Sequence, residues 1–180
     1  MLNIETSLRI LSLAIFGVAA GASQTYAQSV NVPFNATVGN ACAFSAVVGG
    51  SLAQVNSGRA LASTDGITGL VPTYAGGTAG SVVVNCLGGG NITVTPPTGT
   101  APTSFNPQVS QSVVELASTG AKTSAAAGSN LAWTLPTGPI AVPAGAETLN
   151  VGMFVGRTGA GANLPTGTYQ YTVSITVTPN

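Results

Sequence analysis

Apolar and polar positions alternate along residues 166–178: Tyr169, Tyr171, Val173, Ile175 and Val177 take every second place, with Gln170, Thr172, Ser174 and Thr176 between them. A period of two is that of a strand with one face in a core and the other toward water. Pro165 and Gly167 supply a turn just upstream. No apolar segment follows Val177, so this strand is expected to pair with an earlier part of the chain or with another molecule.

The same pattern recurs through the chain. Over 29–38, Val30, Val32, Phe34, Ala36 and Val38 share one face, and Pro33, which lacks an N–H, suits a sheet edge. Gly80–Cys86 points Val82, Val84 and Cys86 one way. A glycine turn over 88–90 and a return through Ile92 and Val94 then predict a hairpin. Strands are also predicted over 109–116 and over 147–155, where Leu149, Val151, Met153 and Val155 alternate. Between 56 and 80 glycines break the pattern, leaving room for short strands at 59–62 and 70–74. Residues 117–130 are small, carry no apolar stripe and read as loop. Seven or so short strands split by turns predict an all-β, immunoglobulin-like Greek-key sandwich.

The N-terminus changes the picture of location. Arg9 precedes an apolar run over 10–22, and Thr25 and Ala27 are small residues of the kind a signal peptidase reads. A signal peptide over 1–27 is expected, with Gln28 first in the mature chain; an uncleaved membrane anchor is the alternative. The arm then covers 28–38 and the sandwich domain 39–180. An exported chain carrying two cysteines, Cys42 and Cys86, reads as holding one disulfide. Closing that loop removes unfolded-chain entropy worth roughly 4 kcal/mol.

Charge is scarce. After position 27 the charged residues are Arg59, Asp65, Glu115, Lys122, Glu147 and Arg157, which sum to zero. Nothing here forms a basic patch for nucleic acid, and weak repulsion between copies favours association. With no histidine, the commonest general base and metal ligand is missing. Asp65, Glu115 and Glu147 are scattered. Gly120, Lys122 and Thr123 echo the end of a phosphate loop, but Ala121 stands where glycine is required, and a solvated loop is the better reading. No enzyme activity, metal or cofactor is expected.

Three pieces resemble the spore coat protein U domain, which is also the subunit fold of archaic chaperone–usher pili. They are the arm from Val30 to Cys42, the second-cysteine segment from Gly80 to Cys86 with its return over 91–95, and Val155-Gly156-Arg157 with the closing strand from Leu164 to Val177. The middle of the chain, 45–79 and 96–146, matches weakly. The resemblance implies a sandwich lacking its last strand, with a groove beside the final strand. A periplasmic chaperone fills that groove first, and after passage through an outer-membrane usher the N-terminal arm of another copy or related subunit replaces it.

On this reading Val30, Val32 and Phe34 are donor-strand residues. Leu149, Val151, Met153, Tyr169, Tyr171, Val173, Ile175 and Val177 line the acceptor groove or the core beneath it, and Cys42–Cys86 staples the first strand to the second. The implied function is a surface-fibre subunit for adhesion or biofilm, exported through the periplasm to the cell surface. The alternative is a self-complemented sandwich, a binding module or coat protein that does not polymerise, its arm folded along its own last strand. Tyr74, Phe105 and Trp133 would then be the aromatic candidates for a glycan, although a core position is the expected fate of Trp133.

Overall fold

The computed structural model describes residues 41–71 and 74–180. Segments 1–27 and 28–38, and with them Val30, Val32 and Phe34, lie outside the described residues. Every regular element described is a strand. In chain order these are β1 (Cys42–Val48), β2 (Ala53–Val55), β3 (Ala60–Ser63), β4 (Gly80–Cys86), β5 (Gly90–Val94) and β6 (Thr98–Thr100). There follow β7 (Val109–Leu116), β8 (Lys122–Gly128), β9 (Ile140–Val142), β10 (Gly145–Gly156), β11 (Gln170–Thr172) and β12 (Ile175–Pro179). The protein is all-β, and every ladder between these strands is antiparallel.

β10 is the axis of the main sheet. Along one edge its first half pairs with β4 and its last four residues pair with β3. β7 runs along its other edge from Leu149 to Gly156. β1 extends the sheet beyond β4, β2 beyond β3 and β8 beyond β7. A second layer holds β12–β5–β9, and β11 pairs with β6. The last two ladders are one interrupted pair, since β5 leads into β6 as β11 leads into β12. At the interruption residues 95–97 oppose only Val173 and Ser174, a bulge that shifts the register by one. Pro96 and Pro97 fall there, where ladder donors are not needed, and Thr95 N still donates to Ser174 O at 3.0 Å.

The main sheet is covered on both faces, which is why β7 is buried almost throughout. Val114, Leu116, Leu149, Val82 and Val84 face the second layer and pack with Ile92 and Val142. Val109, Val113 and Phe154 face the other way and pack with Leu70 and Trp133, contributed by loops. Phe154 meets Trp133 edge-on at 5.9 Å and Tyr74 at 4.8 Å. Gln111 ties the Trp133 loop down by accepting from its backbone N–H (3.0 Å) and donating to its carbonyl (2.9 Å).

Several expectations need correction. Gly80–Cys86 and 91–95 do not form a hairpin, because β4 pairs with β1 and β10 whereas β5 pairs with β12 and β9. The intervening turn carries the chain from one layer to the other, and Val84 and Ile92 meet as facing core residues. Residues 117–130 are not all loop: β8 occupies their centre. Lys122 is no solvated loop residue, for its Nζ lies 2.7 Å from Glu115 Oε2 across the β7–β8 ladder. Leu70, Val71 and Tyr74 are not in a strand; Leu70 is instead a core side chain delivered by a loop. The disulfide joins β1 to β4, with β2 and β3 intervening in sequence, rather than joining the first strand to the second.

Candidate functional site: an open groove beside the final strand

β1 hydrogen-bonds only to β4, β11 only to β6 and β12 only to β5, so each leaves one edge without a ladder partner among the described residues. These free edges border a groove of about 1070 Å³. Phe44, Val47 and Val48 of β1 form one wall, and residues 169–173 with Ile175 form the other. Val151 and Met153 of β10, with Val82 and Ser63, lie between the walls. Among the described residues no charged side chain lines it.

The groove is where the inter-layer core runs out. Leu149 and Val82 are buried in that core; Val151, Ile175 and Val177 pack on its margin and are only half-buried. From Tyr169 to Val177 every odd position is half-buried and every even one exposed. The alternation read from the sequence is thus present, but its inward face is not fully covered. On the opposite wall Val47 is 77% and Val48 59% exposed, unusual for valines in a strand.

The two walls run in opposite directions. Cys42, which opens β1, lies at the Pro179 end of β12: its Sγ is 3.8 Å from Gly89 O, which also accepts from Asn180 N at 3.3 Å. An extended segment laid between them is therefore antiparallel to one wall and parallel to the other.

Two features hold the walls in place. The Cys42–Cys86 disulfide fastens β1 to β4 at directly opposed positions, Cα atoms 4.1 Å apart. On the other side Gly99 lets β6 close on β11, since a Cβ there would overlap Gln170 O and stand 2.7 Å from Tyr171 Cα. Tyr169 donates its hydroxyl proton to Pro165 O at 2.7 Å and meets the Phe105 ring edge-on. Burial pushes the Tyr169 hydroxyl above the ordinary tyrosine range. Burial, followed by the neighbouring Tyr169, does the same to Tyr171. Both therefore stay protonated and neutral at physiological pH.

Of the residues singled out in sequence, Val151, Met153, Tyr169, Tyr171, Val173 and Ile175 come together on the groove. Leu149 and Val177 lie outside it, in or against the closed core. The β1 wall escaped the sequence reading. A one-residue register shift between Ser45 and Val48, with Ala46 at a φ of 48°, breaks the alternation that would have marked it. Trp133 is buried and Tyr74 half-buried in the opposite core, so neither offers an open aromatic platform. Among the described residues no three cysteine or acidic side chains gather as a metal site. Glu147 is buried and accepts from the Ser118 N–H and hydroxyl, and Glu115 is held by Lys122 and Thr68. Comparison with protein-family models, with curated proteins and with solved structures returns no match for this chain.

Proposed function

We propose that the protein is the structural subunit of an exported surface fibre, an incomplete immunoglobulin-like sandwich completed by a strand from outside the domain. The observation that carries this reading is a groove that, among the described residues, has no charged lining and is bordered by two strand edges of opposite direction without ladder partners. An unpaired apolar edge is an invitation to strand addition, and here two such edges face one gap. The occupant fits the chemistry of residues 29–34. Extended, that segment spans about 20 Å at 3.3 Å per residue, comparable to the wall from 169 to 175. Val30, Val32 and Phe34 on one face would each gain about 1.5–3 kcal/mol on entering the groove. A disulfide that holds one wall suits assembly outside the reducing cytoplasm. Before assembly a chaperone strand protects the same groove, and an usher passes the subunit outward.

Deleting residues 28–35 tests the reading. The truncated chain, co-expressed with its chaperone, should fold and oxidise its cysteines yet give no filaments by negative-stain electron microscopy. Filaments of normal length would end the proposal. A full chain that stays monomeric and heat-stable with no chaperone would favour its own arm as the occupant.

A further inference from the structure

The final strand turns one set of its backbone groups toward the groove. Ser174 O accepts from Thr95 N at 3.0 Å, and Asn180 N donates to Gly89 O at 3.3 Å. Even-numbered residues from 174 to 180 therefore aim their N–H and C=O at the β5 side. Successive residues of a strand alternate, so Val173, Ile175 and Val177 aim theirs at the edge without a ladder partner. The same three residues carry half-buried side chains. Pro179 falls in this odd-numbered set, where its missing N–H takes nothing from the β5 ladder.

This arrangement makes the direction of an added strand depend on its sequence. In an antiparallel ladder, directly opposed residues share a face, and opposite Val173, Ile175 and Val177 they exchange both hydrogen bonds. With their side chains inward, Val30, Val32 and Phe34 would direct their N–H and C=O at this wall, and Pro33 would turn away from it. In a parallel ladder the bonds are slanted and go to the residues flanking the opposed one. Asn31, Pro33 and Asn35 would then have to supply the donors, and Pro33 has none.

The chain's own arm has no choice of direction. It is joined to Cys42, which stands at the Pro179 end of β12. Only residues 35–41 separate Phe34 from Cys42. A reversal uses at least two of them, and the rest reach about 17 Å, short of the groove's length of about 20 Å. An arm lying in its own groove must therefore run toward Cys42, parallel to the final strand. The arm of a second copy carries no such tether.

We infer that Pro33 is a specificity-determining residue that selects the arm of a second copy over the chain's own. It withholds a ladder bond from the tethered, parallel arm. A second copy's arm laid antiparallel to the final strand keeps all its bonds to that wall. The β1 wall asks less of the occupant, because its edge is interrupted between Ser45 and Val48, with Ala46 at a φ of 48°. The inference rests on the groove being a strand acceptor, as proposed above.

The test refolds the full exported chain, wild type and Pro33→Ala, at matched low concentration without chaperone. Size exclusion and negative-stain electron microscopy separate monomers from filaments. Closed monomers, their grooves filled by their own arms, are those that refuse an added fluorescent peptide of residues 28–36. Trp133 fluorescence and an intact disulfide report folding in both chains. Restoring the missing N–H should raise the ratio of closed monomer to open or polymerised chain about tenfold, the upper end for one neutral hydrogen bond. An unchanged or lower ratio overturns the role of Pro33 and leaves the acceptor groove standing. If neither chain polymerises or takes up the peptide, the strand-acceptor reading falls and this inference falls with it.

Discussion

Cys42 stands directly opposite Cys86 across the β1–β4 ladder, so the bond that closes a 44-residue separation also fixes one wall of the groove. β1 has little else to hold it. Apart from half-buried Cys42 its side chains are exposed, and among the described residues it pairs along one edge only. Replacing both cysteines with serine should lower stability by about 2–4 kcal/mol. Hydrogen exchange should show where: amides of β1 should lose protection while those of β7 and β10 keep theirs. Equal loss in all three strands would mean that the bond stabilises the whole fold and not this wall.

Glu115 predicts the acid behaviour. Burial works against its ionisation, but the bonds from Lys122 and from the Thr68 N–H and hydroxyl outweigh that effect and hold its pKa below 4.5. A carboxyl whose folded pKa is depressed contributes stability that is fully present above its unfolded value and is lost as pH falls through the folded one. Urea midpoints should therefore decline below about pH 4.5 in the wild type. In Glu115→Gln the decline should be shallower and the midpoint at neutral pH lower. Parallel pH profiles for the two proteins would contradict this account.

Gln111 acts as a piece of backbone. Its amide occupies both backbone hydrogen-bonding groups of Trp133, and no solvent reaches the pair because both residues are 1% exposed. Gln111→Ala should cost about 1–3 kcal/mol for each backbone group left unpaired. Equilibrium denaturation followed by Trp133 fluorescence measures it directly. A cost well under 1 kcal/mol would mean that water replaces the amide.

At Gly99 the contact with β11 leaves no room for a methyl group. Gly99→Ala should push β6 from β11 and lower the thermal midpoint by several degrees. Gly159→Ala is the matched control, because nothing lies within 4 Å of a Cβ there. Similar midpoints for both variants would show that the β6–β11 contact yields without cost.

What the sequence disclosed follows from what each strand buries. β4 and β7 were legible to the residue, and β10 nearly so, because their valines and leucines pack on a layer that the local pattern anticipates. β8 was illegible: Ala125, Ala126 and Ala127 carry no stripe, and the strand exists because β7 offers it a ladder. Leu70 misled in the opposite sense, an apolar residue drawn into the core without any strand. The glycine turn after Cys86 suits either a hairpin or a crossing between layers, and only long-range pairing with β10 and β12 decides. The final-strand wall of the groove was read from its alternation, whereas the β1 wall was hidden by its bulge.

β10 is laddered on both edges over much of its length, to β4 and β3 on one side and to β7 on the other. Tension applied at β1 reaches it sideways through β4, and the Cys42–Cys86 bond spans the first of those two seams covalently. Withdrawing β10 lengthwise would shear two rows of hydrogen bonds together rather than peel them one by one. The domain is thus arranged like a rope anchored at its middle strand, with its most yielding parts at the rim.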